Sequence, residues 1–111
     1  MLVDNLFAKL PKDTGAEIFE NLLERPGFRL ERIVSTGQAT LPGEWLQQEE
    51  AEWVLLLSGR AAIRFEGETE GRELKPGDYL LIPSRCRHRV EWTADDDVTV
   101  WLALHFGARN A

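Results

Sequence analysis

The chain has 111 residues and a mass of 12.6 kDa, room for one domain with a core but not for two. Hydrophobic residues at 43% and charged residues at 29% exclude a disordered chain. Thirteen basic against nineteen acidic side chains leave a net charge of −6, so neither nucleic acid nor an anionic membrane surface is an expected partner.

Gly and Pro recur from Gly15 through Pro26-Gly27, Gly37, Pro42-Gly43, Gly59, Gly67, Gly71 and Pro76-Gly77 to Pro83. The segments between them are short, which predicts an all-β sandwich or barrel. The first segment admits two readings. Thr14-Gly15-Ala16-Glu17 has the form of a helix capping box, with Ile18, Phe19, Leu22 and Leu23 on a helical stripe. Arg25-Pro26-Gly27 instead suits a type II turn joining two strands of similar length, and this favours a hairpin. Phe28 to Val34 then reads as a strand. Val54 to Leu57 is a continuous apolar run, expected of a strand covered on both faces. Arg60 to Glu66 alternates, with Ala61, Ile63 and Phe65 on one face. Tyr79 to Ile82 and Val98 to Leu104 are again apolar throughout, and Asp95-Asp96-Asp97 fits the turn before the last strand.

Cys86 is the single cysteine, so neither an internal disulfide nor a four-cysteine zinc site is possible within one chain. Met1 to Asp13 lacks a basic start followed by an apolar run, and no apolar stretch approaches the roughly 20 residues that span a bilayer. A cytoplasmic domain is expected. Arg85, Arg87 and Arg89 lie among many carboxylates and are expected to be solvated or ion-paired.

The chemistry concentrates between Glu52 and His88. Glu52 is followed after six residues by Gly59, and Gly77 after five by Pro83, with Ser84, Arg85, Cys86, Arg87 and His88 beyond. Alternation puts Glu52, Val54 and Leu56 on one strand face, and His88, Val90 and Trp92 on one face of another. Two strands that each set an ionisable group among apolar neighbours can line a pocket, with Trp92 as a wall. His105, the other histidine, stands near the end of the last strand.

These two segments resemble the motifs of the cupin superfamily, whose first motif ends in E-x₆-G and whose second reads G-x₅-P-x-G-x₂-H, with Arg85 here in the place of the motif's second Gly. The resemblance implies one jelly-roll domain, a double-stranded β-helix over residues 1–111 with its barrel at about 17–106. It implies a pocket between the sheets and pairing of two copies into a homodimer. It also implies a divalent metal (Fe, Mn, Ni or Zn) held by Glu52 and His88. The usual H-x-H before the Glu is absent: Leu46 and Gln48, or Trp45 and Gln47, stand in its place. Gln48 is the candidate third ligand through its amide oxygen, and His105 a candidate fourth; a direct Glu52–His88 pair without metal is the alternative. Two functions follow from the resemblance. One is a module binding a small polar molecule. The other is an enzyme of dioxygenase, isomerase or decarboxylase type, in which His88 could also act as a metal-free base oriented by Glu52.

Overall fold

The computed structural model describes residues 1–12 and 14–107, and every regular element in it is a strand. In chain order these are β1 (Ile18–Arg25), β2 (Phe28–Ser35), β3 (Ala51–Ser58), β4 (Ala61–Phe65), β5 (Arg72–Leu74), β6 (Tyr79–Ile82), β7 (His88–Thr93) and β8 (Thr99–Phe106). No helix is long and apolar enough to cross a membrane. The hairpin reading of the first segment holds. β1 and β2 pair antiparallel up to Arg25 opposite Phe28, and Gly27 takes the positive φ of 94° that the second central place of a type II turn requires.

Two antiparallel sheets result, one ordered β1-β2-β8-β3-β6 and the other β5-β4-β7. Alternation along each strand decides what lies between them. Ile33, Val54, Leu56, Trp101 and Ala103 of the larger sheet meet Ala61, Ile63 and Leu74 of the smaller one in a buried core. Each Val, Leu or Ile among them contributes roughly 1.5–3 kcal/mol when fully buried and each Ala less, which makes this cluster the main source of the fold's stability. The opposite parity faces outward. Leu55 and Leu57 are half-buried there, and Tyr79 and Leu81 are 65% and 52% exposed. Within one copy, therefore, the apolar runs of β3 and β6 are closed over on the core side only.

Both motif glycines adopt backbone conformations that L side chains resist, but with different surroundings. Gly59, after β3, has φ 87°, and a Cβ placed on it would lie 2.6 Å from the Thr99 Cα. Gly77, before β6, has φ 94° and open space around it. Gly77→Ala should therefore cost only the conformational penalty, about 1–2 kcal/mol. Gly59→Ala should cost about 2–5 kcal/mol, because backbone must also shift to admit the methyl group. Urea denaturation of both variants checks the order; equal losses would contradict it.

Candidate functional site in the barrel

One cavity opens between the sheets, with a volume of about 290 Å³. Its walls are mostly apolar, with Val54, Ile63, Ile82 and Val90 among them, and its polar lining comprises Glu17, Glu31, Gln47, Gln48, Glu52, His88 and His105. Strand register explains why these residues converge. Glu52 of β3 lies directly opposite His105 of β8, with both side chains on the pocket side. Glu31 of β2 lies opposite Ala103, whose small side chain leaves Glu31 room to reach along the strand to His105.

The contacts form a chain. The Glu31 carboxylate accepts a hydrogen bond from His105 Nε2 at 2.8 Å. Gln48 Nε2 lies 3.4 Å from His105 Nδ1 and donates to Glu52 Oε1 at 3.1 Å. Both amide hydrogens of Gln48 are thereby engaged, which leaves a lone pair on His105 Nδ1 and the hydrogen on Nε2. Across the cavity, His88 is only 4% exposed, and its Nδ1 lies 2.9 Å from the Cys86 carbonyl. A carbonyl can only accept, so Nδ1 carries the hydrogen and Nε2 is left as an acceptor. A third carboxylate, Glu17, accepts a hydrogen bond from the Ser35 hydroxyl, which in turn accepts one from the Trp101 indole N–H at 3.0 Å.

Burial raises the Glu52 carboxyl above the ordinary carboxylate range; the His105 and His88 imidazoles and the Gln48 amide oppose the shift, and Glu31 reinforces it. Burial raises Glu17 in the same way, opposed by its bond from Ser35. Among the residues lining the cavity there is no lysine or arginine. Arg29 approaches Glu31 to 3.7 Å and Glu50 to 3.5 Å without lining it. Arg85, Arg87 and Arg89 pair with Glu49, Glu66 and Glu91.

The structure thus gathers four of the residues singled out in the sequence, Gln48, Glu52, His88 and His105, around one cavity. Trp92 is not among them. β7 carries a bulge: Val90 is opposite Ile63, yet Trp92 is opposite Ala62, so Glu91 is an extra residue. One added residue reverses the alternation, and Trp92 leaves the face of His88 and Val90 to sit 5.8 Å from the Arg60 guanidinium. The aromatic wall is supplied by Trp101 and Phe19 instead. Gln47 also lines the cavity, although strict alternation would turn it away, because residues 47–50 are not a strand. Sequence reasoning assigns Glu31 and Glu17 no place in the site. Glu31 shares parity with the buried Ile33, and that was the available signal; Glu17 precedes β1 and gave none.

A two-sheet antiparallel barrel with imidazole and carboxylate groups on its inner wall defines a class, the double-stranded β-helix proteins. The cupin domain profile matches residues 32–105, and the chain belongs to the cupin family. A protein of Ralstonia eutropha JMP134, provisionally named a mannose-6-phosphate isomerase, is similar at 49% identity over 96% of this chain and 98% of its own, with a TM-score of 0.92. An RmlC-like cupin from Methanocaldococcus jannaschii superposes with a TM-score of 0.68 at 13% identity, over 86% and 84% of the two chains. A cupin superfamily protein from Desulfitobacterium hafniense DCB-2 gives 0.67 at 15%, over 87% and 94%. No curated protein matches the chain.

Cupins commonly bind metals, and imidazole and carboxylate are suitable donors. Their placement here does not fit an ion. Among the described residues no three His, Cys, Asp or Glu side chains come together as a metal would need. Gln48 presents its NH₂ group, not its oxygen, to Glu52 and His105. Two amide hydrogens link the carboxylate to the imidazole where a cation otherwise could.

Two outcomes follow. Gln48→His replaces that link with an imidazole and should tighten Ni²⁺ binding at least tenfold, whereas Gln47→His, which lacks contact with Glu52 and His105, should not; calorimetric titration distinguishes them. The second concerns pH. A carboxyl whose folded pKa is raised binds protons more tightly in the native state, so stability falls as pH rises through the ordinary carboxylate value to the raised one. Glu52→Gln removes this penalty while keeping the shape. Its melting temperature should exceed that of the unsubstituted chain at about pH 7, with the gain vanishing near pH 3.5 where both states are protonated.

Proposed function

We propose that this cupin is a binding module whose barrel pocket takes a small polar molecule directly on Glu52, His88 and Gln48, without a metal ion. The observation that supports it is His88: a side chain 4% exposed, locked by the Cys86 carbonyl, with an acceptor nitrogen that has no hydrogen-bond partner among the described residues. No buried side-chain nitrogen or oxygen among the described residues lacks a partner, so this acceptor is open to the cavity, where a donor-bearing ligand can take the place of water. The volume of about 290 Å³ lies at the lower end of ligand pockets, which favours a compact ligand.

The name of the Ralstonia relative supports a second reading, sugar-phosphate isomerisation. That reaction moves a proton between neighbouring carbons, and His88 and Glu52 are the groups here that could exchange one. The lining weighs against the phosphate. A phosphoryl group needs cationic or N–H donors, and Glu17, Glu31 and Glu52 would repel it. Ligand binding without turnover of mannose 6-phosphate is the expected result.

The module is further proposed to work as a homodimer. On the outer sheet face Leu104, Trp53 and Leu81 lie in one row of register partners and Leu102, Leu55 and Tyr79 in the next. Such a continuous apolar patch favours a second copy over solvent.

The experiment is a screen of small polar fragments by tryptophan emission. Binding should change the emission, Trp101→Phe should remove most of the change, and Trp92→Phe should leave it intact. A response carried by Trp92, or turnover of mannose 6-phosphate, would overturn the reading.

A further inference from the structure

We infer that the ligand is a small organic ammonium cation with an alkyl body, held between Glu17 and Glu52; the inference rests on the metal-free binding reading above. It comes from matching donors against acceptors in the lining. The Trp101 N–H is engaged by Ser35, and the Ser35 hydroxyl by Glu17. Gln48 gives its two hydrogens to Glu52 and His105, His105 gives its own to Glu31, and His88 gives its own to the Cys86 carbonyl. Gln47 is exposed and keeps its amide, but among the buried and half-buried lining residues every side-chain donor is engaged.

What remains is acceptors only. Glu17 has its Oε1 left over, Glu52 its Oε2, Gln48 its Oε1 and His88 its Nε2, none with a hydrogen-bond partner among the described residues. A ligand must therefore bring donors. A carboxylate or phosphate brings none, and an alcohol brings one hydrogen and no charge. An ammonium group brings three hydrogens and a positive charge for Glu17 and Glu52, which have no lysine or arginine beside them as Glu31 has Arg29 at 3.7 Å. His88 adds a further acceptor: the residue is 4% exposed, yet its Nε2 is not among buried atoms left without a partner and opens on the cavity. The rest of the wall, Val54, Ile63, Ile82 and Val90, suits an alkyl chain.

The test uses the full chain and five probes: n-butylammonium, n-butanol, butyrate, mannose 6-phosphate and Ni²⁺. Affinities come from calorimetry, and placement comes from intermolecular NOEs between the butyl chain and the Val54 and Ile63 methyl groups. Expected is n-butylammonium binding at least tenfold tighter than n-butanol, with no detectable butyrate or mannose 6-phosphate. Glu52→Gln and Glu17→Gln should each weaken it at least fivefold, with melting curves confirming that both fold. The NOEs need no variant and stand if one fails to fold. Should n-butanol, butyrate or mannose 6-phosphate bind as well as the amine, with NOEs from its own C–H groups to the same Val54 and Ile63 methyl groups, the ammonium assignment falls and the pocket reading stands. Should Ni²⁺ alone bind, or no organic probe reach those methyl groups, both fall.

Discussion

The position of β8 between β2 and β3 is the constraint from which the site follows. Hydrogen-bonded to both neighbours, β8 holds His105 in register with Glu52 on one side and within diagonal reach of Glu31 on the other. Strand pairing fixes backbone spacing at about 4.7–4.9 Å, so these three ionisable groups cannot separate without breaking the ladder. Two carboxylates and an imidazole brought out of water together need a hydrogen-bonding partner that satisfies them. Gln48 is that partner, and its NH₂ group bonds both members of the β3–β8 pair.

Gln48 can do this only because the irregular segment that carries it is tied down. Leu46 forms a two-way backbone bridge with His88, at 2.7 and 3.0 Å, and the Arg85 N–H donates to the Gln48 carbonyl at 2.7 Å. The Ser84 hydroxyl bonds the Glu49 carbonyl, and the Arg85 guanidinium bonds the Glu49 carboxylate at 2.9 Å. Behind them the buried Arg89 donates to the carbonyls of Thr40, Leu41 and Glu44. The turn leading into β7 thus positions both His88 and Gln48, and it couples the two motif segments mechanically. Arg85 bears the strain of this arrangement. It holds a φ of 62° where the family motif has Gly, and its side chain, anchored on Glu49, is compatible with that backbone at a cost of roughly 1–2 kcal/mol.

Most of the fold was legible in the sequence because turn chemistry and alternation are local. Pro26-Gly27 closed its hairpin as read, and Ala61, Ile63 and Phe65 share a face as read. The motif glycines, at positive φ, stand where the spacing put them. The site was half legible. Glu52 and His88 followed from parity within single strands. Trp92 did not, because a one-residue bulge in β7 leaves no mark in an alternating sequence, yet it moves every later side chain to the other face. The convergence of His105, Glu31 and Gln48 depends on which strands neighbour β8, and pairing order is a property of the whole barrel. The orientation of the Gln48 amide is less accessible still, since it is decided by two partners at positions 52 and 105.

That orientation also bears on how far likeness to the Ralstonia protein extends. Identity of 49% over nearly the whole chain secures backbone, register and core. Ligand class is decided by a much smaller set, the balance of donors and acceptors facing one cavity. A single residue at position 48 changes the balance: as histidine it would present a lone pair to an ion, and as glutamine it presents hydrogens to Glu52 and His105. With the hydrogens committed inward, Glu17, Glu52 and His88 keep only lone pairs for a ligand. A barrel can therefore keep its fold and register while one side chain changes which hydrogens and lone pairs face the cavity.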